Sequence, residues 1–281
     1  MFFFLCVLTF PDSLPAAVKT PIFFGIWIVF WMPVVIPLKK YLGWHFLSPP
    51  TPEQKIPLLA SLYLVAIPVV WGTIQIEQHP FSHYGVRGDV ALFMSLLLGL
   101  AISLVSLMLA FAGQWVGGWI RWLGFPGVNV WLSTGILALW VSATEEFIFR
   151  GILLNWWQQD GGIWLAAIAT STIFALLHGV WERRQVLPQL PGLWLLGIVL
   201  VLARIADGGS LGLAWGLHAG WVWGIAALHS SEAIAYTGKV PSWVTGISQQ
   251  PLAGLVGIVL LIAVGIGLYG VAFPEPASNI F

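Results

Sequence analysis

The chain has 281 residues, 59% of them hydrophobic and 8% charged, and its eleven basic and eleven acidic side chains leave no net charge. A water-facing globule carries about 25% charged residues, so this chain cannot clothe one and reads as an integral membrane protein. The balanced charge without any basic block excludes a nucleic-acid binder, and the single cysteine, Cys6, excludes an internal disulfide or a CxxC metal site.

In chain order, Met1 to Phe10 is apolar but lacks a positive leading region, and it runs into Pro11-Asp12-Ser13. It suits the remnant of a signal sequence or an interfacial start. Windows of about 20 apolar residues then mark spans. They fall near 21–38, 57–76, 91–113, 128–150, 163–180, 191–206, 210–229 and 251–273. The expected fold is an all-α polytopic membrane helical bundle of about eight transmembrane helices. The connections are short and rich in turn residues: Ser48-Pro49-Pro50-Thr51-Pro52, Gly85 to Gly88, Phe125-Pro126-Gly127, Asp160-Gly161-Gly162 and Asp207-Gly208-Gly209. None has room for a soluble domain, so function must come from the membrane body. The division expected is N-terminal transmembrane helices over 1–120, a core over 121–250, and a C-terminal helix and tail over 251–281.

The eighteen tryptophans are far above ordinary usage. Trp44, Trp71, Trp115, Trp119, Trp181 and Trp243 stand near expected span ends, where an amphipathic ring anchors among headgroups. Few lysines with many Trp and Gly suit a bacterial plasma membrane or a thylakoid or plastid-type membrane. With eight spans, the loops after spans 1, 3, 5 and 7 collect Lys39, Lys40, Lys55, Arg121, Arg183, Arg184 and Lys239, against Lys19, Arg87 and Arg204 on the other face. That bias puts the first set in the cytoplasm and both termini outside it.

Charges inside spans are where chemistry is sought. Glu145, Glu146 and Arg150 sit in Thr144-Glu145-Glu146-Phe147-Ile148-Phe149-Arg150, after a stretch from Val130 to Ala143 with no charge. Each ionised side chain at bilayer depth costs roughly 2.5–3.5 kcal/mol on insertion scales, so three together call for a role. On a helix Glu146 and Arg150 share a face, acid before base, while Glu145 is turned about 100° away. One carboxylate is thereby neutralised and the other left for proton chemistry. A buried Glu–Arg pair that merely locks helices accounts for Glu146 and Arg150 but leaves Glu145 without a part. Two histidines, His178 and His218, lie in later spans among small residues (Gly179, Gly216, Ala219, Gly220) that let helices approach closely. His79 and His83 have an i,i+4 spacing, but Pro80 and Gly85 spoil a helix there, so they read as loop residues.

Glu145-Glu146-x-x-x-Arg150, Phe174-x-x-x-His178 and His218 resemble the three motifs of the CAAX-protease and bacteriocin-processing (CPBP, Abi) intramembrane protease family, which includes the type II CAAX prenyl endopeptidases. The resemblance covers roughly 128–230, and the three motifs together, each in an apolar span, are highly specific. It implies an intramembrane endopeptidase acting on a membrane-associated peptide or lipidated protein. Glu145 would activate a water with help from His178, His218 would face the oxyanion, and Glu146 with Arg150 would fix the geometry. Substrate would enter laterally or from the cytoplasmic side, where His178 ends its span.

Zinc held by Glu145, His178 and His218 and a metal-free glutamate site both remain open on this reading. One position departs from the family: an Asn or Asp usually follows the third-motif histidine by four residues, and here that place is Val222, which cannot donate a hydrogen bond. The implied outcomes are a slow protease, another donor such as the Trp221 or Trp223 indole, or a family member without activity that binds a membrane partner. A proton-coupled transporter uses the same residue types, but the repeated halves common in transporters are missing.

Overall fold

The computed structural model describes residues 14–46, 48–180 and 183–274, so Met1–Phe10, Cys6, Trp181 and the tail beyond 274 lie outside the described residues. The protein is all-α. Its long helices are α1 (Ala16–Leu42), α2 (Pro52–Glu77), α3 (Val90–Val116), α4 (Val128–Glu146), α5 (Leu154–His178), α6 (Leu190–Ala206), α7 (Gly212–Ser230) and α8 (Leu255–Ala272). Six stretches of the described residues are long and apolar enough to cross a membrane. One of them, Val128–His178, is 51 residues long and breaks within α5 at Gly161 and Gly162, the latter at φ +80°. The chain leaves the helix where glycine makes a left-handed turn cheap. Counting both sides of that break and adding α7 gives the eight runs expected from the sequence. Helix α7 is not among those six and carries four glycines and two histidines.

Contacts between connections sort them into two faces. On one, the Ala16 amide donates to Asp160 Oδ2 (2.6 Å), Asn155 to the His83 carbonyl (2.9 Å) and Arg87 to the Gly208 carbonyl (2.8 Å), and Trp164 stacks on Phe273 at 5.6 Å. On the other, strand β1 (Ile120–Trp122) pairs antiparallel with β2 (Ile234–Tyr236), and Lys239 Nζ donates to the Gly117 carbonyl (2.8 Å). Ala16 and Phe273 therefore share a face. Two cations counted above towards the outer face are corrected as buried: Lys19 in α1 and Arg204 in α6 are enclosed within the bundle. Trp44, expected as an interfacial anchor, is 6% exposed and packs with Trp31, Val35 and Leu58, whereas Trp71, Trp115 and Trp243 remain open to the surroundings.

Helices α3 and α7 approach each other closely. A Cβ built on Gly216 would stand 2.1 Å from the Leu96 carbonyl, and one on Gly220 would stand 1.8 Å from Ser103 Oγ. Glycine here is what allows backbone-to-backbone approach, the usual means of helix association where lipid supplies no hydrophobic drive. Gly216→Val is expected to cost about 1–3 kcal/mol through overpacking, read as a lower thermal midpoint in detergent. This pairing matters because α7 carries His218.

The chain between α4 and α5, Phe147–Leu153, is a π-helical turn whose residues Ile148 to Leu153 are all buried. Such turns concentrate at functional sites because they re-aim side chains inside an otherwise regular helix. Arg150 is in it.

Candidate active site

Glu146 and Arg150 are both fully buried, and Arg150 Nη1 bonds Glu146 Oε1 at 3.0 Å. The i,i+4 pairing expected from sequence persists across the start of the π turn. Arg150 also donates to the Gly197 carbonyl of α6 (3.2 Å), and its guanidinium lies over the Phe174 ring of α5 at 4.6 Å. Gly197 is small for a reason: a Cβ there would meet Ser171 at 2.6 Å, so only glycine brings that carbonyl within reach. One cation thus ties α4, α5 and α6 together.

The same Glu146 oxygen meets His218 Nδ1 at 2.7 Å. An ionised carboxylate has no proton to give, so Nδ1 carries the hydrogen and a neutral His218 presents Nε2 as an acceptor. Nε2 faces Glu145 Oε2 at 3.6 Å, beyond a direct hydrogen bond. The sequence expectation that His218 faces an oxyanion as donor thus requires a doubly protonated ring in this geometry. Glu145 is 9% exposed, against none for Glu146, so it is the carboxylate that keeps an open edge.

Glu145 has a partner the sequence did not suggest. The Tyr63 hydroxyl, from α2, donates to Glu145 Oε1. Nothing in the run Leu62-Tyr63-Leu64 flags this; the only available signal was a hydroxyl in the middle of an apolar span.

His178 is half-buried at the end of α5, its Nδ1 against the Phe174 carbonyl at 2.8 Å. It shares Phe174 as a neighbour with His218, the ring centroids lying 4.5 Å and 5.8 Å from that ring respectively. The structure brings together Glu145, Glu146, Arg150 and His218 and sets His178 beside them without a hydrogen bond to either glutamate. Among the described residues, no three His, Cys, Asp or Glu side chains converge to hold a metal ion. Each of Glu145, His178 and His218 gives one atom to a neighbour, Oε1 to Tyr63, Nδ1 to the Phe174 carbonyl and Nδ1 to Glu146, which leaves Glu145 Oε2 and the two Nε2 atoms outside those bonds.

The alternative donors suggested for the Val222 gap are engaged elsewhere. Trp221 Nε1 donates to Ser106 Oγ (3.0 Å) and Trp223 Nε1 to the Trp131 carbonyl (2.9 Å). Val222 itself is half-buried, one turn beyond His218 on α7. Val222→Asn is expected to raise peptidase turnover about tenfold, equivalent to about 1.4 kcal/mol off the barrier, with KM unchanged because the new bond forms mainly in the transition state.

With this geometry in view, residues 127–224 match the family model described as type II CAAX prenyl endopeptidase Rce1-like. This part of the chain is similar to a type II CAAX prenyl endopeptidase. The match runs from the start of α4 into α7 and includes all five residues singled out from the motifs. The likeness supports an intramembrane endopeptidase in general, and the long apolar helices support a multi-pass membrane protein. Comparison with curated proteins and with solved structures gives no match.

Proposed function

We propose that the protein hydrolyses a peptide bond of a membrane-associated, prenylated or otherwise lipidated substrate, with Glu145 as general base. The observation that carries this reading is the pair of atoms Glu145 Oε2 and His218 Nε2, both acceptors, 3.6 Å apart on the side where Glu145 keeps its 9% exposure. Two acceptors at that separation suit a water that donates to both. Glu145 takes one proton as the water oxygen bonds to the scissile carbonyl carbon. The same carboxyl then returns the proton to the leaving amine as the carbon–nitrogen bond breaks, so the base ends unprotonated. Glu146 and Arg150 hold His218 in the tautomer that keeps Nε2 open. His178, at the helix end, sits where a substrate entering from that face would pass.

A purely structural cluster is disfavoured by its unspent polarity. Ser142 Oγ, Glu146 Oε2, Arg150 Nε and Ser171 Oγ are buried with no protein partner. Interior polar atoms are normally paired unless water or a functional role uses them. Binding without cleavage is the second reading, favoured by Val222 in place of a donor. The membrane proposed is a bacterial plasma membrane or one of thylakoid type, with the face bearing β1 and β2 in the cytoplasm, since Arg87 is the one loop cation left on the opposite face among the described residues.

The test is cleavage of an internally quenched peptide by the full chain in liposomes, the peptide offered with and without a C-terminal farnesyl group. Saturable cleavage, faster on the farnesylated form, is expected. No cleavage of either form, nor of a broad peptide library, overturns the protease reading in favour of binding alone.

A further inference from the structure

Tyr63 belongs to α2, outside the matched residues 127–224, yet its hydroxyl holds Glu145 Oε1 inside the bundle. The side chain is 8% exposed, and its ring stands edge-on to Trp140 of α4, 6.3 Å between centroids. The two oxygens of Glu145 thus have different neighbours. Oε1 is taken by the N-terminal helices, and Oε2 faces His218 Nε2. The terminal torsion of a glutamate is soft, so without a second anchor its carboxylate can turn. A hydrogen bond on one oxygen sets the direction of the other.

We infer that Tyr63 is a positioning residue of the site: it fixes the Glu145 carboxylate with Oε2 towards His218, and α2 thereby completes a site that the matched domain does not contain by itself. The inference rests on the reading of Glu145 as the base. Other polar ties between the α1–α2 hairpin and the core support the distinction. Ala16 to Asp160 (2.6 Å), Trp157 to Thr20 (3.1 Å) and Trp156 to Glu77 all lie towards the face that carries Ala16 and Phe273. Among these ties between described residues, the Tyr63 bond is the one that lands on a residue of the candidate site. Docking α2 needs no hydroxyl at this depth, because Ala66 and Val69 of the same helix are buried in the core with purely apolar surface. An isolated phenol in this apolar surrounding would carry a desolvation cost, which the bond to Glu145 offsets.

Tyr63→Phe removes the hydroxyl and keeps the ring against Trp140. In the full chain reconstituted in liposomes, with a farnesylated quenched peptide as probe, kcat is expected to fall about 10- to 100-fold, the scale of a misaimed reacting group. KM should stay within about twofold of the parent, because groups that act only on the transition state leave ground-state binding alone. The thermal midpoint should not move. A parent-like kcat, or a loss that tracks a lowered midpoint, overturns the inference. Glu145→Gln run beside it separates the two readings: cleavage that survives this change, or none in the parent, sinks the protease proposal. Tyr63 is then judged by carbodiimide labelling of Glu145, read by mass spectrometry. A several-fold rise in Tyr63→Phe over the parent upholds the anchoring of Glu145 by Tyr63, and equal labelling overturns it.

Discussion

Glu145→Gln is expected to lower turnover by about 10²–10⁴-fold, the range supplied by a positioned general base. Its thermal midpoint should remain at the parent's. Glutamine keeps the shape of the side chain and still offers Tyr63 an acceptor, so the Tyr63 hydroxyl does not lose its partner. What disappears is the ability to take a proton from water. Kinetics on the farnesylated peptide and a melting curve in detergent measure both halves. Because Glu145 keeps an open edge and lies outside the ion pair, little of the fold depends on its charge.

Arg150→Ala should behave in the opposite way. Removing one partner of a buried ion pair leaves the other charged and uncompensated, at a cost of about 3–5 kcal/mol. Here the loss is compounded, since Arg150 also bonds the Gly197 carbonyl and lies over Phe174. Helices α4, α5 and α6 lose a shared tie at once. A drop in the melting temperature of many degrees, or failure to accumulate in the membrane, is the expected result. Equal destabilisation by Arg150→Ala and Glu145→Gln would instead favour a cluster that only locks helices.

The helices were legible because spans and breaks are written in composition. Apolar windows gave the runs, and Asp160-Gly161-Gly162 marked the break inside a 51-residue apolar stretch. The Glu146–Arg150 pair was legible for the same local reason, a spacing of four on one helix. Long-range partners were not. His218 on Glu146 and Tyr63 on Glu145 join positions 72 and 82 residues apart, and no local pattern encodes which helices become neighbours. Trp44 looked like an anchor by position, but Trp31 and Leu58 across the α1–α2 hairpin enclose it. The π turn at Phe147–Leu153 and the three-residue strands β1 and β2 are too short to leave a period in the sequence. Tyr63 shows the general limit. A single polar atom in an apolar span gains its meaning only from the side chain opposite.

The central claim, that Glu145 activates water and does not itself attack the peptide, is tested most directly by isotope transfer. The full chain in liposomes is mixed in excess with the farnesylated peptide in ¹⁸O-labelled water, and a single turnover is quenched. The new carboxylate of the cleaved peptide and the tryptic peptide containing Glu145 are then weighed by mass spectrometry. A general-base mechanism puts one ¹⁸O in the product carboxylate and none in Glu145. An unlabelled product carboxylate with ¹⁸O in Glu145 would mean an acyl intermediate on that side chain, and would contradict the role assigned to it.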